Sequence, residues 1–167
     1  WSRPQGFRTL LYLILEQQVS LASARATWEK LVALLGDVDP TPESFLALSD
    51  AALRGIGFSR QKTRYGRLLA EAVADKSLRL DNLQRLDDAA VQDRLTSITG
   101  IGRWTAEVYM MEALRRPDIW PVGDLALAVA VEKVKGLDGR PDVATLEEIG
   151  VQWQPWRAVA ARIFWHY

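Results

Sequence analysis

The stretch Leu95-Thr96-Ser97-Ile98-Thr99-Gly100-Ile101-Gly102-Arg103-Trp104-Thr105-Ala106 holds the end of one helix, a glycine-bounded break and the start of another. Leu95 and Ile98 lie three apart on one apolar face, and Arg103 opens a new periodic segment. Glycine at positions 100 and 102 permits positive φ and leaves neighbouring amides unshielded by side chains. The amides of Gly100, Gly102 and Thr105 stand at or near the second helix's N-terminus. Unpaired N–H groups and the helix dipole there favour an anion such as a phosphate. A plain glycine C-cap followed by a fresh helix fits the same string, and G-x-G alone does not separate the two.

Outward from this hairpin the chain reads as helix after helix, with no sustained strand alternation, and the fold class is all-α. Phe7, Leu10, Leu11 and Ile14 mark an amphipathic helix ending near Gln17–Gln18. Ser20 caps a second, running to Leu35 before the turn-rich stretch 36–42. Ser49 caps a short helix over 50–56 that stops at Gly57. Tyr65, Leu68, Leu69, Ala72 and Val73 form the buried stripe of the next, with Arg60, Arg64 and Arg67 opposite. Asp87 caps a helix ending at Thr99–Gly100, and the one begun near Arg103 runs to Leu114. Pro117 and Pro121 interrupt, and Asp124 caps an apolar helix over 125–134. Thr145 and Glu148 have capping-box spacing, and Pro155 suits the first turn of the last helix. In that last helix Trp156, Val159, Ala160, Ile163, Phe164 and Tyr167 share one stripe, and Trp165 projects the opposite way. His166, the one histidine, reads as an exposed helix-end residue. Without a linker or low-complexity segment, residues 1–167 read as a single domain.

Composition narrows the function classes. With 49% apolar and 25% charged residues over 167 positions, the chain is long enough to bury a real core. There is no cysteine, so disulfides, thiolate chemistry and an iron–sulfur cluster are excluded. No apolar run reaches membrane-span length, and membrane partners are not expected. The chain begins at Trp1, so residues are expected to precede it, and a targeting segment could stand among them. Basic and acidic residues balance at 21 each, which argues against a general nucleic-acid coat. The balance is local, however: Arg54, Arg60, Lys62, Arg64 and Arg67 fall between Leu53 and Ala70 without one acidic residue. Such a patch can hold a few phosphates on a neutral protein.

The pattern Leu-x-x-Ile-x-Gly-Ile-Gly-Arg-x-Thr-Ala over 95–106 resembles the hairpin of the helix-hairpin-helix (HhH-GPD) DNA glycosylase superfamily. Pro121-Val122-Gly123-Asp124 follows Trp104 at the spacing of that family's catalytic aspartate. The likeness extends to Leu15-Glu-Gln-Gln-Val-Ser20, Gly57-Phe-Ser-Arg-Gln-Lys62, Trp153-Gln-Pro-Trp-Arg157 and Trp165. It is nearest the AlkA-type 3-methyladenine DNA glycosylases, which act in base excision repair. It implies two helical subdomains flanking a cleft, double-stranded DNA with alkylated bases as partner, and a monomer. In a bacterium it implies the cytoplasm, at the nucleoid.

The resemblance also assigns residues. Asp124 becomes the carboxylate that stabilises positive charge on the sugar and orients or deprotonates water. As a bare sequence feature it is only an N-cap, and the two roles are compatible. Trp104 and Trp165 match the tryptophans of a base pocket, where a flat cationic base gains cation–π attraction. Gln18 takes the position of the wedge that fills the hole left by a flipped base. Gly100, Gly102, Arg103, Thr105 and Arg60 are the expected DNA contacts. The carbonyls of Thr96, Ile98 and Ile101 match a monovalent-ion site for Na+ or K+, and no cofactor is required. Members that cut the strand carry a Schiff-base lysine two residues after the hairpin. Trp104 stands here instead, and the nearest lysine downstream is Lys133, so water is the expected nucleophile and the abasic strand stays intact. Two rival readings remain: a non-catalytic DNA-binding module, and a glycosylase for another lesion such as hypoxanthine or ethenoadenine.

Overall fold

Helix α1 (Phe7–Glu16) is apolar on almost every side, and Leu10, Leu11, Leu13, Ile14 and Leu15 are all buried. A helix of this kind must be covered all round. Sequence periodicity marks one face of it; Leu13 and Leu15 extend the burial to the others. The computed structural model describes residues 2–167. Within them α1 packs against α2 (Leu21–Leu34), α5 (Arg60–Ala74) and α7 (Arg103–Glu112). The short helices α3 (Pro42–Leu46) and α4 (Asp50–Gly55) close over α5. After a 3-10 turn at Leu80–Arg85, α6 (Asp88–Thr96) pairs with α7 across the hairpin. Then come α8 (Leu125–Lys135), α9 (Val143–Val151) and α10 (Arg157–Trp165), with α10 lying on α8. No strand occurs among the described residues, and none of their helices is long and apolar enough to cross a membrane.

The second central helix is α7, in which every residue from Thr105 to Glu112 is buried. It is tied to the N-terminal segment by polar bonds. The Gly6 amide donates to the Tyr109 hydroxyl at 2.9 Å. Arg3 pairs with Glu16 at 3.0 Å and with Glu112 at 2.5 Å. Burial raises the Glu112 carboxyl above its ordinary range, and Arg3 opposes that rise. At the far end Trp120, Trp153 and Phe164 form an aromatic cluster, with Trp120 Nε1 donating to the Leu146 carbonyl at 2.8 Å. The buried apolar side chains of both ends join in one connected core.

Local details depart from the sequence reading where packing or capping overrides periodicity. Stretch 36–42 contains the start of α3, capped by Thr41 with Ser44 in a reciprocal capping box. Helix α6 stops at Thr96, ahead of the expected Thr99–Gly100. Asp142 caps α9 by accepting from the Thr145 amide at 2.8 Å, so α9 begins three residues earlier than it would if Thr145 were the cap. Pro155 precedes Trp156, the N-cap of α10, instead of sitting in its first turn. The larger change concerns α10. Its apolar stripe Trp156, Val159, Ile163 and Tyr167 faces outward, while Ala158, Ala160, Ala161 and Phe164 are buried. Small alanines let α10 approach closely, and Trp165 follows Ala158 and Ala161 along that inner face.

Packing where α1, α3 and α5 meet depends on Gly66. A Cβ there would stand 2.7 Å from Phe45 Cζ and 3.0 Å from Leu11 Cδ1, both in fully buried side chains. Alanine gains about 1 kcal/mol of helix propensity over glycine. Overpacking a rigid core costs roughly 1–3 kcal/mol, so the clash wins. Gly66→Ala is expected to lower stability by about 1 kcal/mol and Tm by about 2–4 °C for a domain of this size. Calorimetry of the two proteins checks this; an increase in Tm would show that Phe45 can yield.

Candidate active site

The turn Ser97–Gly102 between α6 and α7 faces the end of α1 and the start of α5. Gly100 has φ 102°, and a Cβ on it would lie 2.3 Å from Tyr65 Cγ, so the tyrosine ring of α5 rests directly on hairpin backbone. Gln17 Nε2 donates to the Gly100 carbonyl at 2.9 Å and to Thr105 Oγ1 at 3.0 Å. The end of α1 is thereby bolted to the hairpin. Gly102 is different. It is the N-cap of α7 at φ −87° without a side-chain cap, and a Cβ there would meet only open space. The first amides of α7 therefore keep no side-chain acceptor of their own, and an anion can approach them.

These elements and the start of α8 enclose a cleft of about 1040 Å³. Asp124, the N-cap of α8, sits half-buried in its wall. Asp124 Oδ1 accepts from the Leu127 amide at 2.7 Å and from Trp165 Nε1 at 2.9 Å. Oδ2 accepts from Trp104 Nε1 at 2.8 Å. Donors from α7, α8 and α10 thus converge on one carboxylate and fix its position at the wall of the cleft.

The structure brings together most of the residues that sequence reasoning singled out. Gln18, Thr96, Ile98, Gly100, Ile101, Gly102, Trp104, Thr105 and Asp124 all line the cleft. Gln18 is exposed at φ 56°, a left-handed backbone uncommon for non-glycine residues that Asp37, Lys76 and Arg115 also adopt. Thr105 is 1% exposed, so its amide, not its hydroxyl, is what it can offer to a phosphate. Trp165 touches Asp124 but does not itself line the cleft. Arg103 lies outside the lining and pairs with Glu107 at 2.8 Å and Glu147 at 3.2 Å. Arg60 is also absent from the lining; it borders a separate hollow with Arg54 and Arg64. Arg67, in that same hollow, is bound to Asp50 and to the Leu46 and Leu48 carbonyls.

Sequence reasoning counts Lys62 only in the basic patch and gives Gln17 and Tyr65 no site role. All three line the cleft. Lys62 Nζ donates to the Leu15 carbonyl at 2.5 Å, and burial lowers its pKa below the ordinary lysine range. Lys133, the next lysine downstream of Trp104, is not among the lining residues, whereas Lys62 is. For a monovalent ion, the carbonyls of Thr96, Ile98 and Ile101 are neutral oxygens on one turn. Ile98 accepts the Ile101 amide at 2.9 Å, whereas no described amide donates to Thr96 or Ile101. That donor set fits a hard monovalent cation.

Comparison with known proteins agrees with this geometry. Residues 11–155 match the HhH-GPD superfamily of base excision DNA repair proteins. A putative DNA-3-methyladenine glycosylase of Bacillus subtilis is 27% identical over 95% of the chain, which spans 58% of that relative. Among solved structures, a DNA-3-methyladenine glycosidase of Bacillus halodurans superposes with TM-score 0.85 at 34% identity, covering 99% of this chain and 76% of that one. The 3-methyladenine DNA glycosylase Mag1 of Schizosaccharomyces pombe, in complex with abasic DNA, superposes with TM-score 0.93 at 26% identity, covering 98% and 81%. The chain belongs to the HhH-GPD superfamily.

The two hairpin glycines should fail differently when replaced. Gly100→Ala forces a Cβ into Tyr65 and strains a positive φ, so it is expected to lower Tm by several degrees. Gly102→Val fits the open backbone and should leave Tm nearly unchanged, while its side chain covers the α7 amides. Fluorescence anisotropy should then show weaker binding to damaged and undamaged duplexes alike, since phosphate contacts carry no lesion information. Wild-type affinity of Gly102→Val for undamaged DNA would reduce the hairpin to a turn.

Proposed function

We propose that the protein is a monofunctional DNA glycosylase that hydrolyses the N-glycosidic bond of alkylated purines, of the 3-methyladenine and 7-methylguanine type, in duplex DNA. The observation that carries this reading is the Asp124 carboxylate, held by three donors at the wall of the cleft. The uncapped amides of α7 hold a backbone phosphate and set the register. The damaged nucleotide rotates out of the stack, and Gln18 enters the space it leaves. Trp104, in the cleft lining, offers a ring to the extruded base.

As the C1′–N bond breaks, its electron pair leaves with the base. N-alkylation has already made that base cationic, so it departs neutral without a general acid. Positive charge then develops on the sugar, where Asp124 stabilises it. Water adds to C1′ and gives up a proton to the carboxylate and onward to solvent. Thr96, Ile98 and Ile101 would hold a monovalent cation, whose charge would add to phosphate attraction at the hairpin. Trp104 occupies the position of a Schiff-base lysine, so the abasic strand is left uncut.

Asp124→Asn keeps an oxygen for the Leu127 amide but turns an NH2 toward one indole donor. Base release is expected to fall by roughly two to three orders of magnitude with DNA affinity nearly unchanged. Release from a duplex carrying one defined lesion, under single turnover, measures it; near-normal release would remove Asp124 from the chemistry.

Borohydride added during the reaction is expected to trap no covalent complex. An adduct that disappears in Lys62→Gln would make Lys62 the nucleophile and overturn attack by water. Because the protein is neutral and few phosphates are engaged, log K should fall with log salt at a slope of about −2 to −4.

A further inference from the structure

Three donors reach Asp124, and they divide unequally between its oxygens. Oδ1 takes the Leu127 amide at 2.7 Å and the Trp165 indole at 2.9 Å. Oδ2 takes the Trp104 indole alone, at 2.8 Å. An ionised carboxylate offers about two lone-pair sites per oxygen. Oδ1 is filled by the fold, and one site remains on Oδ2. The donors come from three helices, so the carboxylate plane is held against rotation at both oxygens. Trp104 lines the cleft and Trp165 does not, so the two indoles share the carboxylate without sharing the cavity.

We propose that Trp104 and Trp165 are positioning residues that act through their indole N–H groups, locking the Asp124 carboxylate so that Oδ2 alone faces the reacting water. This rests on the glycosylase reading of Asp124 and adds to it a division of labour between the two oxygens. Trp165 fixes the rotation of the carboxylate from the protein side. Trp104 sits on the reacting oxygen and leaves one site there for water to fill. A stacking role for the Trp104 ring is compatible with this, because the N–H and the ring face are different surfaces. For Trp165, behind the carboxylate, the N–H is the role the geometry supports.

Phenylalanine keeps an aromatic ring and removes the donor, so Trp165→Phe and Trp104→Phe separate the two functions. Single-turnover base release is measured on duplexes carrying 7-methylguanine or hypoxanthine, together with Kd for each. Loss of one hydrogen bond to a charged group corresponds to roughly a tenfold to hundredfold loss of rate. Trp165→Phe is expected to show that loss equally on the cationic and neutral bases, with Kd within about twofold of wild type. In an Asp124→Asn background the same substitution should add little, since the residues act as a unit. A second readout needs no activity: in 15N spectra of the free protein, the Trp104 and Trp165 indole N–H signals should both move upfield in Asp124→Asn.

Wild-type rates in both phenylalanine variants, or indole signals that ignore Asp124→Asn, would overturn the clamp alone. So would losses confined to Kd or graded by base charge, which would make the rings stacking surfaces only. A wild type that releases no base from any lesion would instead overturn the glycosylase reading, and the catalytic assignment of the clamp with it.

Discussion

Helix α1 is buried on almost every side, and that requirement organises the molecule. A ten-residue helix carrying five fully or nearly fully buried leucines and isoleucines cannot lie on a surface. Helices α2, α5 and α7 are the cover it recruits. Because α1 is central, its C-terminal end opens between α5 and the hairpin. Leu15 there offers a carbonyl to Lys62, Gln17 bolts the hairpin through Gly100 and Thr105, and Gln18 is pushed into the cleft at positive φ. One burial demand thus delivers several of the groups that line the site.

Around Asp124 the same economy appears in polar form. An N-cap is an ordinary device for starting a helix, worth about 1 kcal/mol. Here its carboxylate also satisfies two indoles that would otherwise be partly buried without acceptors. Donors from separate helices fix the charge without a counter-ion.

Electrostatics elsewhere follow from zero net charge. Two of the cations that sequence reasoning singled out are engaged within the fold: Arg103 by Glu107 and Glu147, Arg67 by Asp50. Affinity for a polyanion then falls to backbone amides at the start of α7, to Lys62 and to the exposed Arg54, Arg60 and Arg64. Amide recognition is short-ranged and directional.

Sequence alone determined the all-helical class, most helix starts and the hairpin, because caps, glycines and the helical period are local chemistry. It also carried Asp124, Trp104 and Trp165, through a spacing shared with a known superfamily. Tertiary structure decided what no local pattern encodes. It turned the bulky stripe of α10 outward, since close approach to α8 favours alanines over large side chains. It brought Lys62, distant in sequence, into the cleft, and kept Arg60 and Arg103 out of its lining. It showed that a Cβ at Gly100 would strike the Tyr65 ring whereas one at Gly102 would meet open space, a distinction invisible in G-x-G. Above all it aimed two indole N–H groups, from positions 104 and 165, at the two oxygens of one carboxylate. Hydrogen bonds between residues far apart in the chain depend on the relative placement of whole helices, and that placement is set by core packing.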